Sequence, residues 1–268
     1  MNTPCDIFIT SYLRPQYTGE TLRYLKERTK YPYRLFLIDN GGNEQFKDQV
    51  DYYIGLSKNM GIHAAWNLAL SLAESEYFIT SDNDIYVPDL RRTKKRDDRY
   101  NKDGSFNLTN IEYELCWLER MVNFMDERPD YGAISLHPHV FIGAAGIDPT
   151  DPEDVKERNM CGAVMRIMRT EAVRKAGGWE HKIDPKRNHE ERTICSRLQT
   201  AGYKVGITSR IRAYHPFGKD VEGNLGWGYT TITPEEQGHN PVLKDEVLRF
   251  DNPDAYDEKT WLPKLNLW

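Results

Sequence analysis

Short apolar runs alternate with helix-like segments along the first third of the chain, and this alternation limits the possible folds more than any other feature. The runs Asp6–Thr10, Arg34–Asp39 and Tyr77–Ser81 have the length and apolar content of buried strands. Helical patterns separate or follow them, at Thr18–Lys30, Glu44–Ile54 and His63–Ala73. Strands that alternate with helices predict an α/β fold, in which helices flank a mixed, mainly parallel sheet on both faces.

The rest of the chain predicts more elements of this sheet and then an irregular extension. Further strands or extended runs are expected at Gly132–Leu136, Gly162–Met168, Lys204–Ile207 and Ile211–Tyr214. Helical spacing covers Ile111–Met125 and Glu190–Ala201. After His215 the chain is rich in Gly, Pro, Trp and Asp and has little periodicity. We therefore expect a domain over residues 1–217 and a C-terminal extension over residues 218–268 that wraps the core, with a lid near Gly218–Gly228.

Charge, apolar content and cysteine usage exclude several classes of protein. The net charge of −5 over 268 residues makes the whole chain a poor nonspecific nucleic-acid binder. No apolar run approaches the roughly 20 residues of a membrane span, and we see no secretory signal. The four cysteines form no C-x-x-C motif, which favours reduced thiols in the cytoplasm. The basic run Arg91–Arg99 is typical of a solvated loop, although it also suits a phosphate-bearing acceptor, either lipid or nucleic acid.

All three of the first predicted strands end in polar residues: Thr10-Ser11-Tyr12, Asp39-Asn40 and Asp82-Asn83-Asp84. Ligands of parallel α/β sheets bind beyond the carboxyl ends of the strands. Asp82 and Asp84 can meet one divalent cation there, since Mg²⁺ and Mn²⁺ favour carboxylate oxygens together with substrate phosphates. A solvated, helix-capping turn is the alternative for these two acids. His215 also follows a short strand, and its neutral imidazole would suit Mn²⁺ as a third ligand.

Two further groups of residues have both a structural and a functional interpretation. Glu190 and Glu191 open a predicted helix, where acids often only complement the helix dipole. Either one is also a candidate general base for a substrate hydroxyl. Asn59 is expected to cap the helix that follows it, and Gly61 to allow close approach of the backbone to a ligand.

Seven segments of the chain, taken in order, resemble glycosyltransferase family 2 and its relatives with the Rossmann-like GT-A fold. The segments are FITSYLRPQYTGETLRYL, LIDNGG, NMGIHAAWNLAL, YFITSDNDIYVP, CGAVMRIMRTEAVRKAGGWE, HEERTICSRLQTAGYKV and AYHPFG. YFITSDNDIYVP is similar to the D-x-D segment of the family, and AYHPFG to its late metal-binding histidine. The resemblance covers about residues 5–218.

The resemblance implies roles for individual residues. The nucleotide would contact Thr10, Tyr12, Arg14, Asp39, Asn59, Gly61, Asn67, Asp82 and Asn83, with Asp39 accepting from the uracil ring. Mn²⁺ or Mg²⁺ would bind Asp82, Asp84 and His215. Glu191 stands where the family has its catalytic Asp, and Glu190 remains an alternative because Glu is one methylene longer.

The family resemblance also implies a reaction. The chain is expected to be a metal-dependent glycosyltransferase that moves one sugar from a UDP-sugar to an acceptor hydroxyl, with inversion. The acceptor is left open between a glycan, a lipid-linked group and modified nucleic acid. Other classes that we keep open are a nucleotidyltransferase and a non-catalytic nucleotide-sugar-binding protein. The first would need a Gly-rich basic phosphate loop, and SYLRPQYTG supplies one Arg and one Gly.

Overall fold

The computed structural model describes most of the first two thirds of the chain and short pieces of the rest. The described residues are 4–12, 14–57, 59–88, 91–93, 111–113, 116–139, 146–147, 153–179, 190–215, 217–219, 225–227 and 266–267. Among these residues, no helix combines the length and the apolar character needed to cross a bilayer.

The first third of the chain forms the expected alternation of strands and helices. Its elements are β1 (Cys5–Ser11), α1 (Pro15–Arg28), β2 (Tyr33–Asp39), a 3-10 helix (Glu44–Gln49), β3 (Tyr52–Gly55), α2 (Ile62–Leu72) and β4 (Tyr77–Asp82). The three predicted strands and the helices around residues 18–30 and 63–73 are therefore confirmed. The helix expected over Glu44–Ile54 is confirmed only as the 3-10 helix at Glu44–Gln49, and its second half is wrong, because β3 begins at Tyr52. Asp51 causes the change, since its backbone N–H donates to Leu35 O at 3.0 Å and its Oδ2 accepts from Leu35 N at 2.7 Å.

The later elements follow the sequence pattern less closely. They are β5 (Arg91–Thr93), β6 (Ile111–Tyr113), α3 (Trp117–Glu127), β7 (Tyr131–His139), β8 (Gly146–Ile147), β9 (Val155–Arg158), β10 (Arg166–Arg169), α4 (Thr170–Ala176), α5 (Glu190–Thr200), β11 (Lys204–Tyr214), β12 (Phe217–Lys219), β13 (Leu225–Trp227) and β14 (Asn266–Leu267). The helix expected from Ile111 begins at Trp117, since residues 111–113 pair with β5. The two short runs expected after Lys204 are one strand, β11, with an irregularity between Ile207 and Arg212.

Ten of the described strands build one large mixed sheet, in agreement with the predicted fold class, whereas β5 pairs with β6 and β12 with β13 as two small separate sheets. The order of the large sheet is β14-β3-β2-β1-β4-β10-β7-β11-β8, and β9 also pairs with β11. The four strands β3, β2, β1 and β4 run parallel, and so do β7 and β11. β10 lies antiparallel between β4 and β7 and joins these two parallel groups.

Hydrophobic cores lie on both faces of the sheet. Ile7 and Ile9 of β1 pack on the face that also buries residues of α1 and α3, whereas Phe8 packs on the opposite face with Trp66 of α2. Successive side chains of a strand point to opposite faces. At the carboxyl edge, Thr10 therefore continues the α2 face.

Little of the expected C-terminal extension lies within the described residues. β12 and β13, which overlap the lid predicted near Gly218–Gly228, pair with each other as antiparallel strands. β14 pairs antiparallel with β3 at the edge of the large sheet. The division into residues 1–217 and residues 218–268 stays a prediction, as does the lid.

Candidate functional site

The carboxyl ends of the parallel strands bring the predicted polar residues side by side. In the sheet register, Ser11 lies beside Asp39 and Thr10 lies beside Asp82. The Thr10 and Ser11 hydroxyl oxygens are buried and have no hydrogen-bond partner among the residues that the structure describes. A buried hydroxyl that lacks a partner is costly, and a bound polar ligand would satisfy it.

Asp84 lies between two basic side chains at this edge. Its Oδ2 is 3.9 Å from Arg14 Nη1, and its Oδ1 is 3.4 Å from His215 Nε2. Tyr214, at the end of β11, places His215 here through two backbone hydrogen bonds with Tyr86, of 2.9 and 3.0 Å. The structure thus brings together two of the three predicted metal ligands.

The backbone of Arg14 adopts an unusual conformation that directs its side chain toward Asp84. Its φ of 54° and ψ of 56° lie in the left-handed region, just before Pro15 opens α1. Non-glycine residues in that region carry strain of about 1 kcal/mol or more. The carbonyl of Arg14 accepts from the backbone N–H groups of Tyr17 and Thr18, at 3.1 and 3.2 Å, which holds this conformation.

Asp82 belongs to a cluster of four carboxylates. Burial raises the pKa of Asp82 well above its ordinary value, and the neighbouring negative charges of Asp84, Glu190 and Glu191 raise it further. The positive charge of Arg166 acts in the opposite direction. The start of α5 therefore approaches the end of β4, and the predicted metal-binding acids share one electrostatic environment with the predicted catalytic acids.

Glu190, at the start of α5, has a strongly raised pKa. Burial and the negative charge of Glu191 raise its pKa from 4.5 to about 7, and a side-chain hydrogen bond between the two glutamates adds to the shift. A carboxyl group with a pKa near 7 can accept or release a proton at neutral pH. The structure thus places the alternative base, Glu190, in a suitable state beside the preferred base, Glu191.

The chemistry of the site fits a divalent cation. Asp84 Oδ1 is buried and accepts no hydrogen bond from any described residue, which leaves an oxygen available for coordination. A carboxylate together with an imidazole suits Mn²⁺. Among the described residues, no three His, Cys, Asp or Glu side chains are close enough to hold a metal ion by themselves. Asp84 and His215 would therefore supply two ligands, with Asp82 the nearest further acid in the sequence.

Asp39 is fully engaged by its own surroundings. Its Oδ1 accepts from Gly41 N at 2.8 Å, and its Oδ2 accepts from Asn43 N at 3.0 Å and from Tyr53 Oη at 2.8 Å. These bonds hold the turn after β2, in which Gly41 has a φ of 136°. The visible role of Asp39 is to shape the turn, and its predicted contact with a uracil ring stays a prediction.

Asn59 and Gly61 shape the loop that leads into α2. Asn59 Oδ1 accepts from Gly61 N at 2.9 Å, and Gly61 is the residue that precedes the helix. The expectation that Asn59 caps α2 is wrong, because its side chain closes this local turn instead. Gly61 has a φ of 77° and a ψ of 167°, which a residue with a Cβ rarely adopts.

The side chain of Asn67 is occupied by the turn that follows α4. Its Oδ1 accepts from Trp179 N at 2.9 Å, and its Nδ2 donates to Trp179 O at 3.2 Å. The same turn is held from α5, where Arg197 Nη1 donates to Gly177 O and Gly178 O at 3.0 and 3.1 Å. Asn67 therefore helps to connect α2 with α5, and its predicted contact with a nucleotide stays a prediction.

The remaining predicted nucleotide contacts lie close to the same edge. Asn83 Nδ2 donates to Thr18 Oγ1 at 2.7 Å, and Asn83 O accepts from Thr21 Oγ1 at 2.8 Å, so this turn is tied to α1. The Tyr12 ring lies 3.6 Å from the position that a Cβ on Gly41 would occupy. Tyr12 therefore lies beside the turn that Asp39 holds.

Arg166 is a residue of the site that the sequence analysis missed. It is 0% exposed, and its Nη2 donates to Thr80 Oγ1 at 3.2 Å. Its Nε and Nη1 have no hydrogen-bond partner within the described residues. The guanidinium lies 4.6 Å from the Trp66 ring and 5.5 Å from the Trp179 ring. The available signal was an arginine within the apolar run Val164–Met168.

Some predicted features lie outside the described residues. The basic run Arg91–Arg99 is described only at Arg91–Thr93, and the segment before α5 is not described over residues 180–189. The expected contact of the basic run with an acceptor stays a prediction.

The site and fold agree with a comparison to known families. Residues 6–106 match the family described as glycosyl transferase family 2. This range includes the first four sheet strands along the chain and both Asp82 and Asp84. A search for similar curated protein sequences finds no match.

Several solved structures have a similar fold over most of the chain. The chain aligns with S. aureus TarS 1–349 (TM-score 0.54, 14% identity), with mannosyltransferase PcManGT from Pyrobaculum calidifontis in complex with GDP-Man and Mn²⁺ (0.52, 14%), and with GalNAc-T7 with UDP, GalNAc and Mn²⁺ (0.56, 12%). The alignments cover 80%, 78% and 80% of this chain and 60%, 56% and 44% of those chains. The chain thus spans less than two thirds of each, and at these identities the likeness shows the GT-A fold. The family match covers residues 6–106, and the likeness of fold extends over about 80% of the chain.

Proposed function

We propose that this chain, which has the GT-A fold and matches glycosyl transferase family 2 over residues 6–106, moves a single sugar from a nucleotide-sugar donor to an acceptor hydroxyl. The donor that we propose is a UDP-sugar, and the transfer inverts the anomeric carbon. The observation that carries the proposal is the gathering of Asp84, His215 and the acids at the start of α5 at the carboxyl edge of the parallel strands. Ligands of such sheets bind at this edge.

We assign the donor diphosphate to the Asp84 end of the site. Asp82, Asp84 and His215 would hold Mn²⁺ or Mg²⁺, and Arg14 lies beside Asp84. When bound, the cation supplies positive charge that stabilises the leaving diphosphate. Two of the structural neighbours are complexes with Mn²⁺, which supports the choice of metal.

Deprotonation of the acceptor hydroxyl is assigned to the start of α5. Glu191 takes the proton while the hydroxyl oxygen attacks the anomeric carbon, and the bond to the diphosphate breaks on the opposite side. One such displacement inverts the anomeric centre. Glu190, with a pKa of about 7, is the alternative base. The acceptor has no assignment, and we place the reaction in the cytoplasm on the strength of four free cysteines.

The rest of the donor pocket is assigned to the polar edge of β1 and the loops beside it. The Thr10 hydroxyl is the best supported contact, because it is buried and has no partner among the described residues. Tyr12, Asp39, Asn59, Gly61, Asn67 and Asn83 complete the proposed pocket. Of these, Asp39 and Asn59 would act by holding the backbone of the loops that line the pocket.

A thermal-shift panel of nucleotide sugars tests this proposal. A ligand that binds only the native state raises its apparent stability, so UDP-sugars with Mn²⁺ should raise the melting temperature. The panel includes GDP-mannose, because one neighbour binds GDP-Man. A response to GDP-sugars alone would change the proposed nucleobase of the donor from uracil to guanine. No response to any nucleotide sugar would contradict the proposed activity.

A further inference from the structure

Two buried cysteines outside the proposed reaction face each other beneath the site. Cys161 Sγ and Cys195 Sγ are 3.6 Å apart, and both residues are 0% exposed. Cys161 lies between β9 and β10, and Cys195 lies on α5 one helical turn after Glu191. Cys195 Sγ also lies 3.4 Å from the backbone N of Cys161 and 3.7 Å from its carbonyl oxygen.

The other two cysteines have different surroundings. Cys5 Sγ donates to Tyr77 O at 3.4 Å, and Cys116 Sγ accepts from Tyr31 N at 3.2 Å. In the described part of the chain, neither thiol forms a hydrogen bond with a second cysteine. They are therefore internal controls for burial alone.

The surroundings shift the pKa values of the two close thiols in opposite directions. The hydrogen bond from Cys161 lowers the pKa of Cys195 to about 7, and the nearby charge of Arg166 assists. The same contact and burial raise the pKa of Cys161. The Arg166 guanidinium is buried and has no acidic hydrogen-bond partner among the described residues, so a thiolate on Cys195 would compensate part of its charge.

We propose that Cys161 and Cys195 form a dithiol that peroxide oxidises to an intramolecular disulfide, which ties the first half of α5 to the segment before β10. The sulfurs are already in van der Waals contact, and a bond of about 2 Å requires an approach of about 1.5 Å. Rotation of two side chains on adjacent elements can supply that movement.

The reaction with hydrogen peroxide is balanced in two steps. The Cys195 thiolate attacks one oxygen of the peroxide, the O–O bond breaks, and the leaving hydroxide takes a proton to become water. The Cys161 sulfur then attacks the sulfenic acid on Cys195, the S–O bond breaks, and the hydroxide leaves as water with the Cys161 proton. Two thiols are oxidised and one peroxide is reduced to two waters.

The position of the disulfide gives it a consequence for the site. Cys195 follows Glu190 and Glu191 in the same helix, and Ile194 and Leu198 bury the same face of that helix. A covalent link at Cys195 would restrict local opening of α5. Because the sulfurs are buried, peroxide reaches them only during such opening, and the reaction is expected to be slower than that of an exposed thiol.

The test is oxidation of the native full chain with hydrogen peroxide, followed by unfolding, alkylation with iodoacetamide and peptide mapping. We expect two of the four cysteines, Cys5 and Cys116, to remain open to alkylation, and one linked peptide pair to contain Cys161 and Cys195. Dithiothreitol should restore all four thiols. Four alkylated cysteines after peroxide, or a link that involves Cys5 or Cys116, would overturn the proposal.

Two variants and one further measurement sharpen the result. Cys161→Ser should give no linked pair and should leave a sulfenic acid on Cys195 that dimedone labels, whereas the matched variant Cys116→Ser should keep the link. If Cys161→Ser does not fold, the peptide map of the unchanged chain still shows whether Cys161 and Cys195 form the disulfide. Amide hydrogen exchange over residues 190–200 should slow on oxidation, and unchanged exchange would overturn the restriction of α5. None of these readouts depends on sugar transfer.

Discussion

The two sides of the candidate site are built in opposite ways. On the β1–β4 side, the turn after β2 is held by Asp39, which accepts hydrogen bonds from Gly41, Asn43 and Tyr53. The Thr10 and Ser11 hydroxyls beside it have no hydrogen-bond partner among the described residues. On the β10–α5 side, ionisable groups are buried with few partners. Arg166 has one hydrogen-bond partner among the described residues, and the pKa of Glu190 lies at about 7.

This difference separates two tasks that one site has to perform. Saturated hydrogen bonds hold a backbone in one shape, which suits recognition of a rigid ligand. Buried groups whose pKa lies near neutrality suit proton transfer, because both protonation states are accessible. We therefore expect substitutions on the β1–β4 side to change stability and donor affinity, and substitutions on the β10–α5 side to change turnover and pH dependence.

The largest expected effect is that of Glu191→Gln on sugar transfer. The amide keeps the size of the side chain but cannot accept the acceptor proton, so turnover should fall by about 10²–10⁴-fold while donor binding stays nearly unchanged. Steady-state kinetics with the responding donor measure this. Glu171→Gln is the matched control, because Glu171 is an exposed acid in the first turn of α4.

Glu190→Gln decides between the two glutamates. If this variant is inactive and Glu191→Gln retains most activity, the base is Glu190. If both variants remain active, the two glutamates only cap α5. The assignment of proton transfer to the β10–α5 side would then be wrong.

Asp39→Asn should destabilise the fold by about 2–3 kcal/mol, since an amide nitrogen would replace one oxygen that accepts from buried donors. Urea unfolding of the variant measures the change, with turnover recorded on the fraction that remains folded. Asp48→Asn is a suitable control, because Asp48 is exposed on the neighbouring 3-10 helix. Equal stability of Asp39→Asn and the unchanged chain would show that the turn needs no carboxylate.

A smaller effect is expected from Glu190→Gln on the pH dependence of stability. Folding raises the pKa of Glu190 from 4.5 to about 7, so this group favours the native state fully below pH 4.5 and loses that contribution as pH rises through about 7. The variant should therefore gain about 1–2 kcal/mol over the unchanged chain above neutrality, with a smaller gain at low pH. Urea unfolding of both proteins below pH 4.5 and above pH 7 measures the difference in their free energies of unfolding. A difference that does not change with pH would contradict the raised pKa of Glu190.

The sequence predicted the β1–β4 side better than the β10–α5 side, because the signals for the first side lie in contiguous residues. Strands such as Tyr77–Asp82 are apolar runs that end in polar residues, and both features are contiguous in the chain. The approach of Asp84 to His215 followed from the expectation that both end strands at one edge. In contrast, the start of β3 within the end of a predicted helix depends on hydrogen bonds between Asp51 and Leu35, 16 residues apart.

The unpredicted features depend on contacts between distant segments. Asn67 has an amide side chain, which is suited to contact a ligand. Its amide instead binds the backbone of Trp179, 112 residues later in the chain. Arg166 lies in an apolar run, where hydrophobic periodicity carries no information about a buried cation. Its environment depends on Trp66, Trp179 and the acids of α5, which only the folded chain brings together.

The most direct test of the central claim is a calorimetric titration of UDP into the unchanged chain and into Asp84→Ala and His215→Ala, with Mn²⁺ and with excess EDTA. We expect UDP to bind the unchanged chain with Mn²⁺ and to lose most of its affinity in EDTA. Asp84→Ala should lose more of the Mn²⁺-dependent affinity than His215→Ala, because the carboxylate carries the larger charge. Equal UDP affinity with Mn²⁺ and with EDTA would contradict a metal-dependent nucleotide site at this edge of the sheet.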